Sequence, residues 1–353
     1  MKTVFVVAML LAMAAVAVAV VSGLRYEQAQ RARDREEFPQ IGRSINIGGD
    51  IRGRTLNIFC SGSGQPAVIL ESGAPWPLYK TREMFENGAP RPGYGWVPIQ
   101  RELAKTTTTC WYDRAGSGWS DLGPYPRDSA SQARDLHALL QGAGVPPPYV
   151  LVAELSAALD AHVYAGSWPA DVAGLVFVNG VHPDLLNRTQ SGGGRLARLP
   201  KFVFHSQDAM GQVFNEVGFF RLGMPNRPAP APLPKGMTSR EWNTVWHLNQ
   251  SVRAHSALLQ DVAAWEQSTA EARAAGSLGN RPLIVLSAEN TFAAYQYSKV
   301  WMELQTDLAR LSSRGEQTAV DLSSGDLTWQ APDAVIDATR HVIYDIRHPG
   351  KLH

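Results

Sequence analysis

Glu154 and Ser156 flank Leu155 in the word Ala153-Glu154-Leu155-Ser156-Ala157-Ala158, between an apolar run and a helix-prone stretch. Ser156 is a candidate nucleophile, yet a serine hydroxyl attacks only when a base takes its proton. A serine at a helix start also serves as a simple cap. Glu154 and the distant Asp326 are carboxylates that could work as general acid or base if burial raised their pKa values. No metal-ligand spacing and no nucleotide-binding motif occurs, so no metal and no cofactor is expected. Cys60 and Cys110 are too few for a disulfide scaffold or a four-cysteine zinc site, but they could form one bridge.

The chain has 353 residues, 33 Lys+Arg against 32 Asp+Glu, and is 44% hydrophobic. That balance describes an ordinary globular protein. A net charge of +1 leaves nothing to neutralise a phosphate backbone, which argues against nucleic-acid binding.

No charged residue falls between Lys2 and Arg25. These 22 uncharged residues are long enough to cross the hydrocarbon core as a helix, whereas a cleaved signal usually has a shorter apolar region. Residues 1–24 are therefore read as a transmembrane anchor or signal, with the anchor preferred, and 25–42 as a charged juxtamembrane linker. Arg25, Arg31, Arg33 and Arg35 follow the span and by themselves would hold the main domain in the cytoplasm. A disulfide would point the other way, and the extracytoplasmic side is the reading adopted. The sequence does not fix the oligomeric state.

Strands are expected at Ser44–Ile47, Thr55–Cys60, Ala67–Leu70, Thr107–Tyr112, Tyr149–Val152, Leu175–Val178, Leu283–Leu286 and Thr318–Leu322. Helices are expected at Trp96–Ala104, Ala130–Leu140, Leu155–Ala165, around Trp301–Leu311, and from Pro332 to about Ile346. Apolar strands alternating with helices imply a mostly parallel sheet covered on both faces. Residues 184–280 interrupt the alternation and read as a helical cap between core segments 43–183 and 281–353.

Several words in this order resemble the α/β-hydrolase superfamily, in particular membrane-anchored bacterial members related to proline iminopeptidases. They include Ala67-Val-Ile-Leu-Glu-Ser-Gly73, Tyr112-Asp-Arg-Ala-Gly-Ser-Gly-Trp-Ser-Asp121, Pro148-Tyr-Val-Leu-Val152 and His182-Pro-Asp184. The resemblance implies an eight-stranded sheet with a helical cap. It also makes the strands bearing Cys60 and Cys110 neighbours, so that a bridge becomes possible beside the alternative of two buried thiols.

The resemblance further implies where a Ser-His-Asp triad would stand. The nucleophile position, normally inside Gly-x-Ser-x-Gly, falls on Leu155, with alanine at both glycine positions, which makes a tight elbow doubtful. The acid position after the sixth strand falls on Asn179; Glu289 is another possible acid. The histidine position falls on Asp326. Oxyanion donors would be the N–H groups of about Ala74 and Ser156. Trp76, Tyr295, Tyr297 and Trp329 would border the pocket, and Glu154 and Asp326 could face one cavity. Asp113 and Arg114 read as structural, and Asp160 and His162 as packing or surface residues.

Three functional readings follow. The first, preferred on the sequence, is a non-hydrolytic acid–base enzyme of isomerase, lyase or cyclase type acting on a small apolar carbonyl compound. The second is a pseudo-hydrolase that binds a ligand or partner without turnover. A serine esterase using Ser156 is the third and weakest alternative.

Overall fold

The computed structural model describes residues 2–48, 53–74, 91–189, 201–218, 233–289, 297–322 and 326–350. The chain divides into two compact units, one of residues 1–40 and 201–230, the other of residues 41–200 and 231–353.

In the smaller unit, helix α1 (Lys2–Glu37) is one continuous helix. The charged residues after the apolar run extend it through residue 37, so the expected linker is helical over most of its length. This helix is long and apolar enough to cross a membrane, a test that a signal sequence near the N-terminus also passes. Helix α6 (Lys201–Glu216) belongs to the same unit.

The larger unit is built on eight strands: β1 (Arg43–Asn46), β2 (Thr55–Ser61), β3 (Ala67–Glu71), β4 (Thr109–Tyr112), β5 (Tyr149–Glu154), β6 (Val172–Val178), β7 (Leu283–Ala288) and β8 (Gly315–Val320). They form one sheet in the order β1-β2-β4-β3-β5-β6-β7-β8. The pairs β1–β2 and β2–β4 are antiparallel and all the others parallel. Strands β3, β5 and β7 are buried at every position, as strands covered on both faces must be.

The helices are α2 (Val97–Leu103), α3 (Ser129–Ala143), α4 (Ala157–Ser167), α5 (Leu185–Thr189), α7 (Ser239–Asn249), α8 (Val252–Ala263), α9 (Trp265–Ala274), α10 (Ser298–Ala309), α11 (Leu327–Gln330) and α12 (Pro332–Arg347). Ile99 and Leu103 of α2 and Val335, Val342 and Ile343 of α12 pack with Val68, Leu70, Val150, Val152, Val176 and Val178. The alternate strand residues Ile69, Leu151, Leu175 and Phe177 are equally buried on the opposite face. Helix α3 outruns its expected span because Asp128 caps its start and Gly144, at φ +67°, ends it. The Cys60–Cys110 alternative resolves as a disulfide: the two residues face each other across β2 and β4, with Cα atoms 4.0 Å apart.

Candidate functional site

The carboxyl end of β5 runs straight into a sharp turn. Helix α4 starts at Ala157, two residues later than expected, because Leu155 adopts a left-handed conformation with φ +52°. That conformation costs a non-glycine residue about 1–2 kcal/mol and persists only where neighbours determine it. They do so here. Leu155 N–H donates to the Val178 carbonyl at 3.1 Å, and its own carbonyl accepts from Val181 N–H at 2.9 Å and Ala158 N–H at 3.2 Å. The doubt that alanines at both glycine positions cast on a tight elbow is therefore corrected: the turn forms with Leu155 at φ +52°. The apex carries a leucine side chain, which has no nucleophilic atom.

Gly73 shows how crowded the turn is. A Cβ there would lie 2.2 Å from the Glu154 carbonyl oxygen and 2.6 Å from Ser156 N, so only glycine fits beside the elbow. The same approach brings Ala74 to Ser156. Ala74 N–H, an expected oxyanion donor, donates instead to Ser156 Oγ at 2.7 Å. Ser156 is buried and its side chain makes no helix-capping hydrogen bond, contrary to the simple capping role.

Asn179 also has a positive φ, +48°, which asparagine tolerates better than most residues. Its N–H donates to the Leu286 carbonyl and its Oδ1 accepts from Ala288 N–H, both at 2.8 Å. Those bonds tie the end of β6 to the end of β7. Glu289, beyond β7, is exposed.

The fold brings Glu154 and Asp326 together through a residue with no counterpart in the sequence reading. Arg91 Nη1 and Nη2 donate to the two oxygens of Asp326 at 3.2 and 2.9 Å, and Nη1 lies 3.5 Å from Glu154 Oε2. Asp326 also accepts from Trp329 N–H at 3.2 Å, capping α11. Burial pushes the Glu154 carboxyl above the usual range; Arg91 opposes the shift and the Asp326 charge adds to it. Thr328 Oγ1 donates to Glu154 Oε2. The Arg91 guanidinium rests 4.0 Å over the Trp329 ring, and the Trp242 ring meets Trp329 edge-on at 4.6 Å. Trp329 is thus packed between two protein groups. Tyr297 immediately precedes α10, while Trp76 and Tyr295 lie outside the described residues.

A second buried cluster, also unforeseen, lies at the start of α4. Arg114 Nη2 is 2.9 Å from Asp160 and Nη1 is 3.4 Å from Asp261 of α8. Tyr112 OH donates to Glu71 Oε1 at 2.6 Å, and burial together with the Asp160 charge pushes Glu71 up to about 8. Burial likewise raises Asp160 to about 6. Asp160 is therefore an ion-paired core residue. Asp113 accepts from Gly93 N–H at 2.7 Å and Trp119 N–H at 3.0 Å, fixing the loop after β4 as expected. His162 packs under α9, its Nε2 2.7 Å from the Gly276 carbonyl. Arg114, Arg127, Ser156, Asp160 and Asp261, with Leu159 and Trp265, border a small cavity of mixed polar and apolar lining. Among the described residues no group of three His, Cys, Asp or Glu side chains could hold a metal ion.

No protein-family model matches the chain. The uncharacterized protein YbdG of Bacillus subtilis (strain 168) is 23% identical over 148 residues, 42% of this chain and 42% of its own length. An AB hydrolase superfamily protein of Gibberella zeae is 31% identical over 99 residues, 27% of this chain and 31% of its own length. The matched part thus spans well under half of either relative.

Solved structures align over far more of the chain. A thermophilic esterase from Thermogutta terrifontis, malate bound, aligns with TM-score 0.56 at 17% identity, covering 88% of this chain and 100% of its own. A haloalkane dehalogenase loop variant from Bradyrhizobium elkanii gives 0.58 at 17%, covering 87% and 96%. The epoxide hydrolase CorEH gives 0.54 at 15%, covering 86% and 100%. The chain has the α/β-hydrolase fold.

Proposed function

We propose that the α/β-hydrolase-fold domain is a binding protein that has lost hydrolysis, held at a membrane by α1. The observation that carries this reading is Leu155 at the elbow apex. The strained turn that presents a nucleophile is intact, yet it presents a hydrocarbon side chain. The surroundings support the same reading. Asp326, in the position expected for the histidine, spends both oxygens on Arg91 and one on a helix cap. Ala74 N–H is taken by Ser156, so an oxyanion would have to displace a hydroxyl. Ser156 as the nucleophile of an esterase is disfavoured by the same bond, because its oxygen faces the Ala74 backbone.

The ligand class is a small, mainly apolar molecule, since ligand sites of open α/β sheets lie beyond the carboxyl ends of the strands and hold their ligands with apolar walls and few polar anchors. The disulfide supports an extracytoplasmic domain, because such bonds persist in oxidising compartments. The test combines thermal unfolding and product analysis over carboxylic esters and epoxides. Compounds that raise the unfolding temperature should be recovered unchanged, and a confirmed turnover contradicts the reading.

One observation favours a second reading. Glu154 is buried, its pKa is raised, and it stands one residue before the apex, so it could act as the general base of a non-hydrolytic reaction. That reading requires Glu154→Gln to abolish turnover of some carbonyl substrate while binding survives.

A further inference from the structure

Helix α6 carries apolar side chains where a water-facing helix would carry polar ones. Phe202 is 72% exposed, Val213 64%, Met210 56% and Phe214 40%. At about 100° per residue these four project within a single sector of the helix, which also holds Ser206, its hydroxyl donating to the Val203 carbonyl at 2.9 Å, and has Ala209 at its edge. Asp208 and Gln212, joined by a 3.1 Å hydrogen bond, and Glu216 lie outside that sector. The helix is amphipathic, and these apolar side chains are exposed among the described residues.

Its neighbour within the smaller unit indicates what covers that side. The C-terminal end of α6 is fastened to α1 just after the apolar run ends. Arg31 makes a two-pronged ion pair with Glu216 at 2.8 and 3.1 Å, and Glu27 braces Arg31 at 2.9 Å. A Cβ on Gly23 would lie 2.3 Å from the Val217 carbonyl oxygen, so the backbones touch there. The uncharged stretch of α1 ends at Leu24, where a spanning helix would leave the hydrocarbon. Exposed Arg25, Arg33 and Arg35 follow at headgroup level, where they complement anionic lipid.

We propose that α6 is an interfacial helix whose Phe202–Met210–Val213–Phe214 side is buried in the lipid surface beside the α1 span. An amphipathic helix in this setting lies at the headgroup boundary, its apolar side in the acyl region. The inference rests on the reading of α1 as a membrane span.

The test uses the full chain in phosphatidylethanolamine–phosphatidylglycerol vesicles. Maleimide dye goes on single cysteines introduced as Val213→Cys, Met210→Cys, Gln212→Cys or Ala12→Cys, since the native cysteines are bridged. Nitroxide lipids quench at shallow or deep positions. The expected result is a blue shift and loss of emission at Val213→Cys and Met210→Cys with the shallow quencher, and neither at Gln212→Cys. Deep quenching should appear at Ala12→Cys. If the α6 probes are unquenched while Ala12→Cys is quenched, α6 is off the membrane and the inference fails alone. Equal quenching at Val213→Cys and Gln212→Cys also overturns it, by removing the sidedness. No quenching at any position overturns the span and the interfacial helix together.

Discussion

Arg91 meets Asp326 with both arms of its guanidinium, at 3.2 and 2.9 Å, while one arm also reaches Glu154 at 3.5 Å. One cation thereby holds two carboxylates at the carboxyl edge of the sheet. Removing it leaves two acids facing each other in a largely buried place. Arg91→Ala should lower stability by roughly 2–4 kcal/mol, nearer the buried than the exposed limit for broken ion pairs. Urea unfolding checks this, and adding Glu154→Gln should recover part of the loss. A midpoint unchanged by Arg91→Ala would show that the cluster carries no such strain.

Ser156→Ala takes away the acceptor for the buried Ala74 N–H. An unsatisfied buried donor costs about 1–3 kcal/mol, so the variant should be destabilised by that order in thermal or denaturant unfolding. A variant as stable as the parent would mean that the N–H has found another partner.

Glu71 gives the pH dependence a definite sign. Its folded pKa of about 8 lies above the ordinary carboxylate value of 4.5. The folded chain therefore holds a proton that the unfolded chain has released between those values. The stability this group contributes is full below about pH 4.5 and is lost as pH rises toward about 8. Urea midpoints should fall over that interval, and Glu71→Gln should flatten the fall. Asp160, raised to about 6, adds a slope of the same sign at the acidic end.

The Cys60–Cys110 bridge closes a separation of 50 residues. Removing a bridge over such a loop costs about 2–4 kcal/mol, which Cys60→Ala with Cys110→Ala should show as an earlier unfolding transition. In protein isolated without reductant, neither thiol should react with alkylating reagent until the bridge is reduced.

The frame was legible in the sequence because the physics is local: apolar runs of strand length alternate with amphipathic helices. The word Tyr112–Asp121 marks a loop whose Asp113 must accept several backbone bonds. The place of Leu155 is legible from its distance to the preceding strand, but its left-handed conformation is not, since it is imposed by Val178 and Val181 from another strand end. Arg91 is not legible as a site residue for a related reason. It lies 235 residues from Asp326 and stands in no motif, so only the folded chain brings the pair together. Helix α6 was anticipated merely as part of a cap. Its exposed apolar side becomes meaningful only beside α1.

With Leu155 at its apex the elbow presents no nucleophile, and chemical labelling can test this. Intact-mass analysis of the folded domain after treatment with a fluorophosphonate, beside a Ser156→Ala control, addresses it directly. No mass gain is expected in either protein. A single adduct on the parent that disappears in Ser156→Ala would establish an active serine displaced by one residue, and a chain still capable of hydrolysis.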